Sequence, residues 1–296
     1  MKVLVFRTLG AFENLRGEMQ FSDLAMELIA SPPRMATFSE YALTPGRNGQ
    51  RAPVDLLPES EMHLSLSART DLAAKRLYFW DSQVAGSFWP AVALVEVLVR
   101  NAMNDELCDY FDVSHEDGWH TLVMDGEESV STVAEGNFLK GKYILLTHRD
   151  YLAFDQKLSE IRRKARGSIV SGDFFVAKVS LGMWLSLLNN GDSGPGRGYL
   201  NYEQTLWEPC LADAFPNYRG KRSQLRDELN QFAKLRNRIA HHEHLLGRRD
   251  LIESGETLIR IAGYIDKEVA QTIKENNRFN SVIAQRQDFL DGLTVL

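Results

Sequence analysis

The stretch LRDELNQFAKLRNRIAHHEH, residues 225–244, constrains the fold more than any other part of the chain. Leu225, Leu229, Phe232 and Ile239 recur at spacings of three, four and seven. Those spacings line one face of a helix with 3.6 residues per turn and scatter over both faces of a strand. The pattern predicts a helix over 221–244. Similar periodicity predicts helices over 20–31, 150–166, 173–189, 202–214 and 250–276, and twice between 64 and 111. Pro32-Pro33 is expected to stop the first of these. A break is expected near Gly86 to Pro90, with Leu94, Val95, Leu98 and Met103 facing a core. Three prolines and two glycines make 42–58 a loop. Residues 112–150 alternate glycines with short β-prone runs, such as TLVM and KYILL, and read as a small β-hairpin insert or a loose loop. NNGDSGPGRG (189–198) reads as a flexible connection. The expected fold class is all-α: residues 1–19 form a peripheral extension, with Met19 as an alternative start, and 20–296 form a single domain.

The formal net charge of −6 over 296 residues argues against bulk, charge-driven nucleic-acid binding. A nucleic-acid site must therefore be a local basic patch. Residues 219–249 supply one, with nine Lys and Arg against three Asp and Glu. Its candidate RNA contacts are Arg222, Arg226, Lys234, Arg238, Arg248 and Arg249, although a charged helix is by default a solvated face. Cys108 and Cys210 stand far apart and in no CxxC pair, so neither a disulfide framework nor a thiolate zinc site is expected. The N-terminus is too short in apolar residues for a signal peptide. The longer apolar runs carry Glu96, or Asp173 and Lys178, and read as buried helices rather than spans. A cytoplasmic protein without membrane contact is expected.

Three of the seven histidines, His241, His242 and His244, fall within four residues at the end of the patterned helix. Asn237 and His241 lie one turn apart on one face, with Arg236 beside them. Metal-free cleavage of an RNA phosphodiester asks for three services. A proton must leave the ribose 2′-OH, a proton must reach the departing 5′-oxygen, and the charged phosphorane must be stabilised. Histidine exchanges protons near neutral pH, and arginine presents a permanent charge and a planar fork to phosphate oxygens. Asn237 would orient the His241 ring. One helix offers one such histidine, so a two-histidine site needs two copies. Taken alone, the spacing fits a solvated helix end equally well, where cations favour the negative pole of the helix. A metal site on His241, His242 and His244 is the weaker reading, since adjacent histidines on a helix diverge by about 100°.

Several segments, in order, resemble the Abi-like (AbiD/AbiF) family of abortive-infection proteins within the HEPN superfamily. They are SPPRMATFSEY (31–41), YFWDSQVAGSFWPAVALVEVLVRNAMNDEL (78–107), GDFFVAKVSLGMWLSLL (172–188), LWEPCLADAF (206–215) and LRNRIAHHEHLL (235–246). The resemblance implies a HEPN-type helical bundle with additional helices. It also implies an endoribonuclease without metal or cofactor, with Arg236, Asn237 and His241 as catalytic residues. A homodimer, phage defence by host arrest and association with a structured noncoding RNA are implied with it, and whether a protein or RNA antitoxin is a further partner is left open. The chain departs from the family in having His244 where proline often follows His-His-Glu. His242 and Glu243 are expected as supporting residues. Glu96 and Arg100, four apart, either form an ordinary intrahelical ion pair or buttress Arg236 or His241 from a neighbouring helix. The competing functional readings are a non-catalytic RNA-binding protein and a scaffold whose motif only completes an interface.

Overall fold

Pro32 and Pro33 open a helix. The computed structural model describes residues 29–120, 146–166, 170–191 and 201–294. In it α1 spans Pro32–Leu43, with both prolines in the first turn. An N–H has no internal acceptor there, and the fixed φ of proline suits a helical start. The pattern at 20–31 falls almost wholly outside the described residues, and so does the connection at 192–198. Within 42–58 the chain winds into short 3-10 turns at Arg47–Gly49 and Pro53–Leu56.

The next helix, α2, runs unbroken through 46 residues, Leu66–Phe111, with Pro90 inside it. The expected break near Gly86 is absent. Pro90 forfeits a backbone hydrogen bond at a cost of about 3 kcal/mol. Phe88, Ala91, Val92 and Val95 around it are all buried, and two or three such side chains contribute more than that cost. The buried row is Val92, Val95, Val99 and Met103, each 0% exposed, whereas Leu94 is 52% exposed. The expected inward position of Leu94 is thus corrected by one residue, about 100° of helix, and Leu98 is half-buried. By length and composition α2 is also apolar enough to cross a membrane.

The chain divides into two compact units, with the boundary inside α2 between Ser87 and Phe88. The first holds the described residues up to Ser87, His244–Arg249 and the segment from Arg278 on. Its late helices are α9 (Phe279–Ala284) and α10 (Arg286–Leu290). Arg76 forks onto Glu61 at 2.7 and 2.8 Å and donates to the Leu290 carbonyl at 2.6 Å. Trp80 Nε1 donates to the Val282 carbonyl at 3.1 Å. Asp81, 4% exposed, accepts the Leu245 N–H at 2.7 Å and so fixes the 244–249 loop.

The second unit holds Phe88–Glu243 and Asp250–Asn277. It contains α3 (His148–Lys164), α4 (Gly172–Lys178), α5 (Leu181–Ser186), a π-helix (Glu203–Leu211), α6 (Arg222–Ala240), α7 (Leu251–Ile265) and α8 (Lys267–Asn276). Trp119 is its aromatic centre, edge-on to Phe154, Phe175 and Trp184 at centroid distances of 5.9 to 6.1 Å. Two expected helices are each split by a cap. Ser180 separates α4 from α5, and Asp266 Oδ1 accepts from Glu268 N and Val269 N at 2.7 and 2.9 Å to start α8. A side-chain acceptor for first-turn N–H groups makes a new helix start favourable at Asp266, whereas Ser180 caps α5 without a side-chain hydrogen bond. Most of the proposed hairpin, 121–145, lies outside the described residues, while 112–120 form turns that bury Trp119 and His120. Among the described residues the only β pairing is an isolated bridge between Gly191 and Asn201. The fold is all-α.

Candidate functional site

The α6 helix buries Leu225, Leu229, Phe232, Leu235 and Ile239 and so turns Arg236 toward α2. Arg236 meets Glu96 there in a two-pronged contact, Nε to Oε2 at 2.7 Å and Nη2 to Oε1 at 3.3 Å. Glu96 is 6% exposed and also takes an ion pair from Arg100 one turn along its own helix. One buried carboxylate therefore holds two guanidiniums. Burial, and next the charge of Arg236, push the Arg100 pKa below its usual value. Both readings of the Glu96–Arg100 pair thus occur together, an intrahelical ion pair and a contact that fixes Arg236.

Asn237 is turned to the arginine. Its Oδ1 accepts from Arg236 Nη1 at 3.1 Å. The expected orientation of the His241 ring by Asn237 is corrected in that respect, because the link to His241 runs through the main chain, His241 N to Asn237 O at 2.9 Å. With its carboxamide oxygen committed to the neighbouring cation, Asn237 braces Arg236 from the side opposite Glu96.

The helix was expected to reach His244 but ends at Ala240. His241 is the C-cap and is exposed, and His242 takes a left-handed φ of 55°. The N–H of His242 bonds to the Ile239 carbonyl at 3.1 Å and that of Glu243 to the Arg238 carbonyl at 2.8 Å. These are the two reversed bonds of a Schellman ending, whose left-handed position usually belongs to glycine. The apolar contact that commonly accompanies it is replaced by an ion pair between Arg238 and Glu243 at 3.3 Å. The abrupt ending leaves the His241 ring at the tip of α6, in solvent, one turn beyond Arg236. His242 and Glu243, expected as supporting residues, build the turn that presents His241.

The six candidate RNA contacts separate. Arg222 is corrected outright: it is 5% exposed and pairs with Glu203 at 2.6 Å. It also donates to the Leu188 and Asn189 carbonyls just past the end of α5. A cation satisfying orphan carbonyls inside the fold is not available to a polyanion. Arg226 pairs with Asp227 at 3.1 Å, Arg238 with Glu243, and Lys234 is exposed. Arg248 and Arg249 lie in the first unit, in the wall of a cavity with Arg47, Arg51 and Arg286. Nothing in the sequence reading pointed to the last three, and no linear pattern joins them.

Cys108 and Cys210 are buried and unbridged, and burial, aided by nearby carboxylates, pushes the Cys210 thiol up to about 12. Among the described residues no three His, Cys, Asp or Glu side chains come together as metal ligands. Set against family models, curated proteins and solved structures, the chain matches none.

Proposed function

We propose that this chain is a metal-independent endoribonuclease, with Arg236 and His241 carrying the chemistry and Asn237, Glu96 and Arg100 positioning Arg236. The observation that carries the reading is the immobilised Arg236 beside an exposed His241. A guanidinium has five N–H groups. Glu96 takes two from Arg236 and Asn237 takes one, which leaves two for a phosphate. An arginine whose orientation is set before substrate arrives loses little entropy on binding, and electrostatic stabilisation by such fixed groups is worth most in the transition state.

In the reaction, the His241 ring accepts the 2′-OH proton as O2′ bonds to phosphorus. The bond from phosphorus to O5′ breaks, and a second histidine returns a proton to O5′. The products are a 2′,3′-cyclic phosphate and a 5′-hydroxyl, with Arg236 facing the phosphorane charge. The second histidine comes from a second copy of the chain. Trp89, Leu94 and Val97 offer a surface for that copy, exposed apolar side chains on the helix that carries Glu96, at 46, 52 and 53% exposure. The ordered resemblance to the Abi-like family supports the same chemistry and extends the proposal to growth arrest in phage defence.

The test is cleavage of a labelled RNA with EDTA present, comparing wild type with His241→Ala and Arg236→Ala. Loss of a cyclic-phosphate product in both variants is expected. Undiminished cleavage by His241→Ala, or activity only with added metal, would overturn the reading. A second reading, RNA binding without cleavage, is favoured by one observation: the Asn237 carboxamide oxygen faces the arginine and not the histidine. Under it, wild type binds RNA and yields no cleavage product, while Arg236→Ala binds more weakly.

A further inference from the structure

The edge of α2 that carries Glu96 is covered along part of its length and open along the rest. Seven residues fall short of two full turns by only about 20°, so Trp89 stands almost in line with Glu96, about 10 Å toward the start of the helix. Ser82, Met103 and Leu107 lie within about 40° of the same line. Glu96, Met103 and Leu107 are buried, whereas Ser82 is exposed and Trp89 is 46% exposed. Over Glu96 lies Arg236 of α6. A tryptophan therefore enters solvent just beyond the place where α6 crosses this edge. Aromatic side chains offer about 150–250 Å² each, and leaving nearly half of one in water forgoes much of what its burial would contribute.

His241 lies on the Trp89 side of Glu96. Arg222, the first residue of α6, donates to the Leu188 carbonyl just past α5. Trp184 of α5 packs edge-on against Trp119 at 6.0 Å, and Trp119 Nε1 donates to Asn104 Oδ1 at 3.2 Å. Asn104 follows Glu96 along α2, so α6 begins on that side of Glu96 and runs back toward Trp89. From Arg236 to His241 it advances five residues, about 7.5 Å. His241 thus comes level with the stretch of α2 between Glu96 and Trp89. All of these residues belong to the second unit. Leu94 and Val97 lie about 140° and 80° around α2 from Trp89. Of the three exposed apolar side chains, Trp89 is therefore the one that borders Arg236 and His241.

Building on the endoribonuclease reading of that site, we infer that the Trp89 indole is the platform on which a base stacks beside the phosphate held by Arg236. Phosphate and ribose are alike in every nucleotide, so contacts to them leave the base unheld. An indole face accepts any unpaired base, because every base has a π-face. A base fixed on Trp89 and a phosphate fixed on Arg236 restrain the ribose between them, which brings its 2′-OH to His241 at a smaller entropic cost. Stacking also supplies affinity without a basic surplus, which a chain of net charge −6 does not have.

The experiment is fluorescence anisotropy of the full-length protein with a labelled, single-stranded 2′-O-methyl oligonucleotide, whose blocked 2′-oxygens prevent cleavage. Trp89→Ala should weaken binding roughly 5- to 150-fold, the worth of one base stacked on an aromatic ring, with melting temperature and mass in solution unchanged. Trp89→Phe, which keeps a ring, should stay within about threefold of wild type. Among oligonucleotides that each lack one base, one should bind wild type correspondingly more weakly and Trp89→Ala no more weakly than the complete strand. Affinity of Trp89→Ala within about twofold of wild type overturns the assignment. So does a loss of affinity accompanied by a fall in mass, which makes Trp89 a contact between copies, and so does a wild type that does not bind the oligonucleotide. Cleavage of unmodified RNA is read separately. A wild type that binds through Trp89 and cuts no RNA refutes the endoribonuclease reading and leaves Trp89 as the base contact; one that cuts RNA while Trp89→Ala binds equally well refutes the role of Trp89 alone.

Discussion

Replacing Glu96 by Gln removes one negative charge from between two guanidiniums and changes little else in shape. The Glu96 side chain is 8% exposed, that of Arg100 16% and that of Arg236 29%. Breaking a fully buried ion pair costs about 3–5 kcal/mol, because the remaining charge stays in a poorly solvated place. Here two cations are left, but Arg236 can turn outward into water, and the glutamine carbonyl still accepts one N–H. The expected loss is therefore about 2–3 kcal/mol, below the full buried value and well above the 0–1 kcal/mol of a surface pair. Urea denaturation of wild type, Glu96→Gln, Arg236→Met and the double variant measures it. The cycle should give a coupling of at least about 1 kcal/mol between positions 96 and 236. RNA cleavage should fall in Glu96→Gln while the protein remains folded, since Arg236 loses the partner that sets its direction. A stability change within about 0.5 kcal/mol, with no coupling, would refute the picture of a buried carboxylate that organises the site.

Three further outcomes follow from single residues. His242→Gly should raise stability by about 1 kcal/mol, because glycine takes the left-handed turn without the cost a Cβ brings; calorimetry reads it as a higher melting temperature, and a fall would show that the His242 ring contributes more than its backbone costs. Burial pushes the Asp81 carboxyl up to about 6 from 3.8, against the opposing Leu245 N–H bond, so the folded state holds a proton there that the unfolded state has released. The stability penalty of charged Asp81 is complete above pH 6 and is relieved as pH falls toward 4; wild type should lose up to about 3 kcal/mol more than Asp81→Asn between pH 4 and pH 7 in denaturation at stepped pH, and parallel profiles would refute it. Arg222→Met leaves Glu203 and the Leu188 and Asn189 carbonyls without their cation and should cost about 3–5 kcal/mol, with the RNA affinity of the folded protein unchanged.

What could be read in advance was whatever repeats with the period of a helix. Leu225, Leu229, Phe232 and Ile239 announced α6 and its buried face, because side-chain periodicity is local and needs no knowledge of the partner. The clustering of Arg236, Asn237 and His241 was equally visible, being a matter of one turn of helix. Where α6 ends was not visible: a histidine in a left-handed turn carries no glycine signal, and the reversed bonds to Ile239 and Arg238 appear only once the chain has folded back. Pro90 looked like a break because the propensity argument weighs one residue, whereas α2 is decided by the apolar row beside it.

Charge was read least well, for a related reason. Arg222 and Arg236 are the same residue type on the same helix, yet one closes the end of α5 and the other faces Glu96 beside an exposed histidine. Which cation meets a carboxylate, a carbonyl or water depends on neighbours 140 positions away for the Arg236–Glu96 contact. The five arginines of the cavity are drawn together from residues 47 to 286. The amino-acid sequence alone determined the helices, their apolar faces and the grouping of residues within a turn, because those follow from local geometry. The tertiary structure decided which charges are structural and which are presented, because electrostatic partners are chosen by distance in space and by loss of water, neither of which is written along the chain.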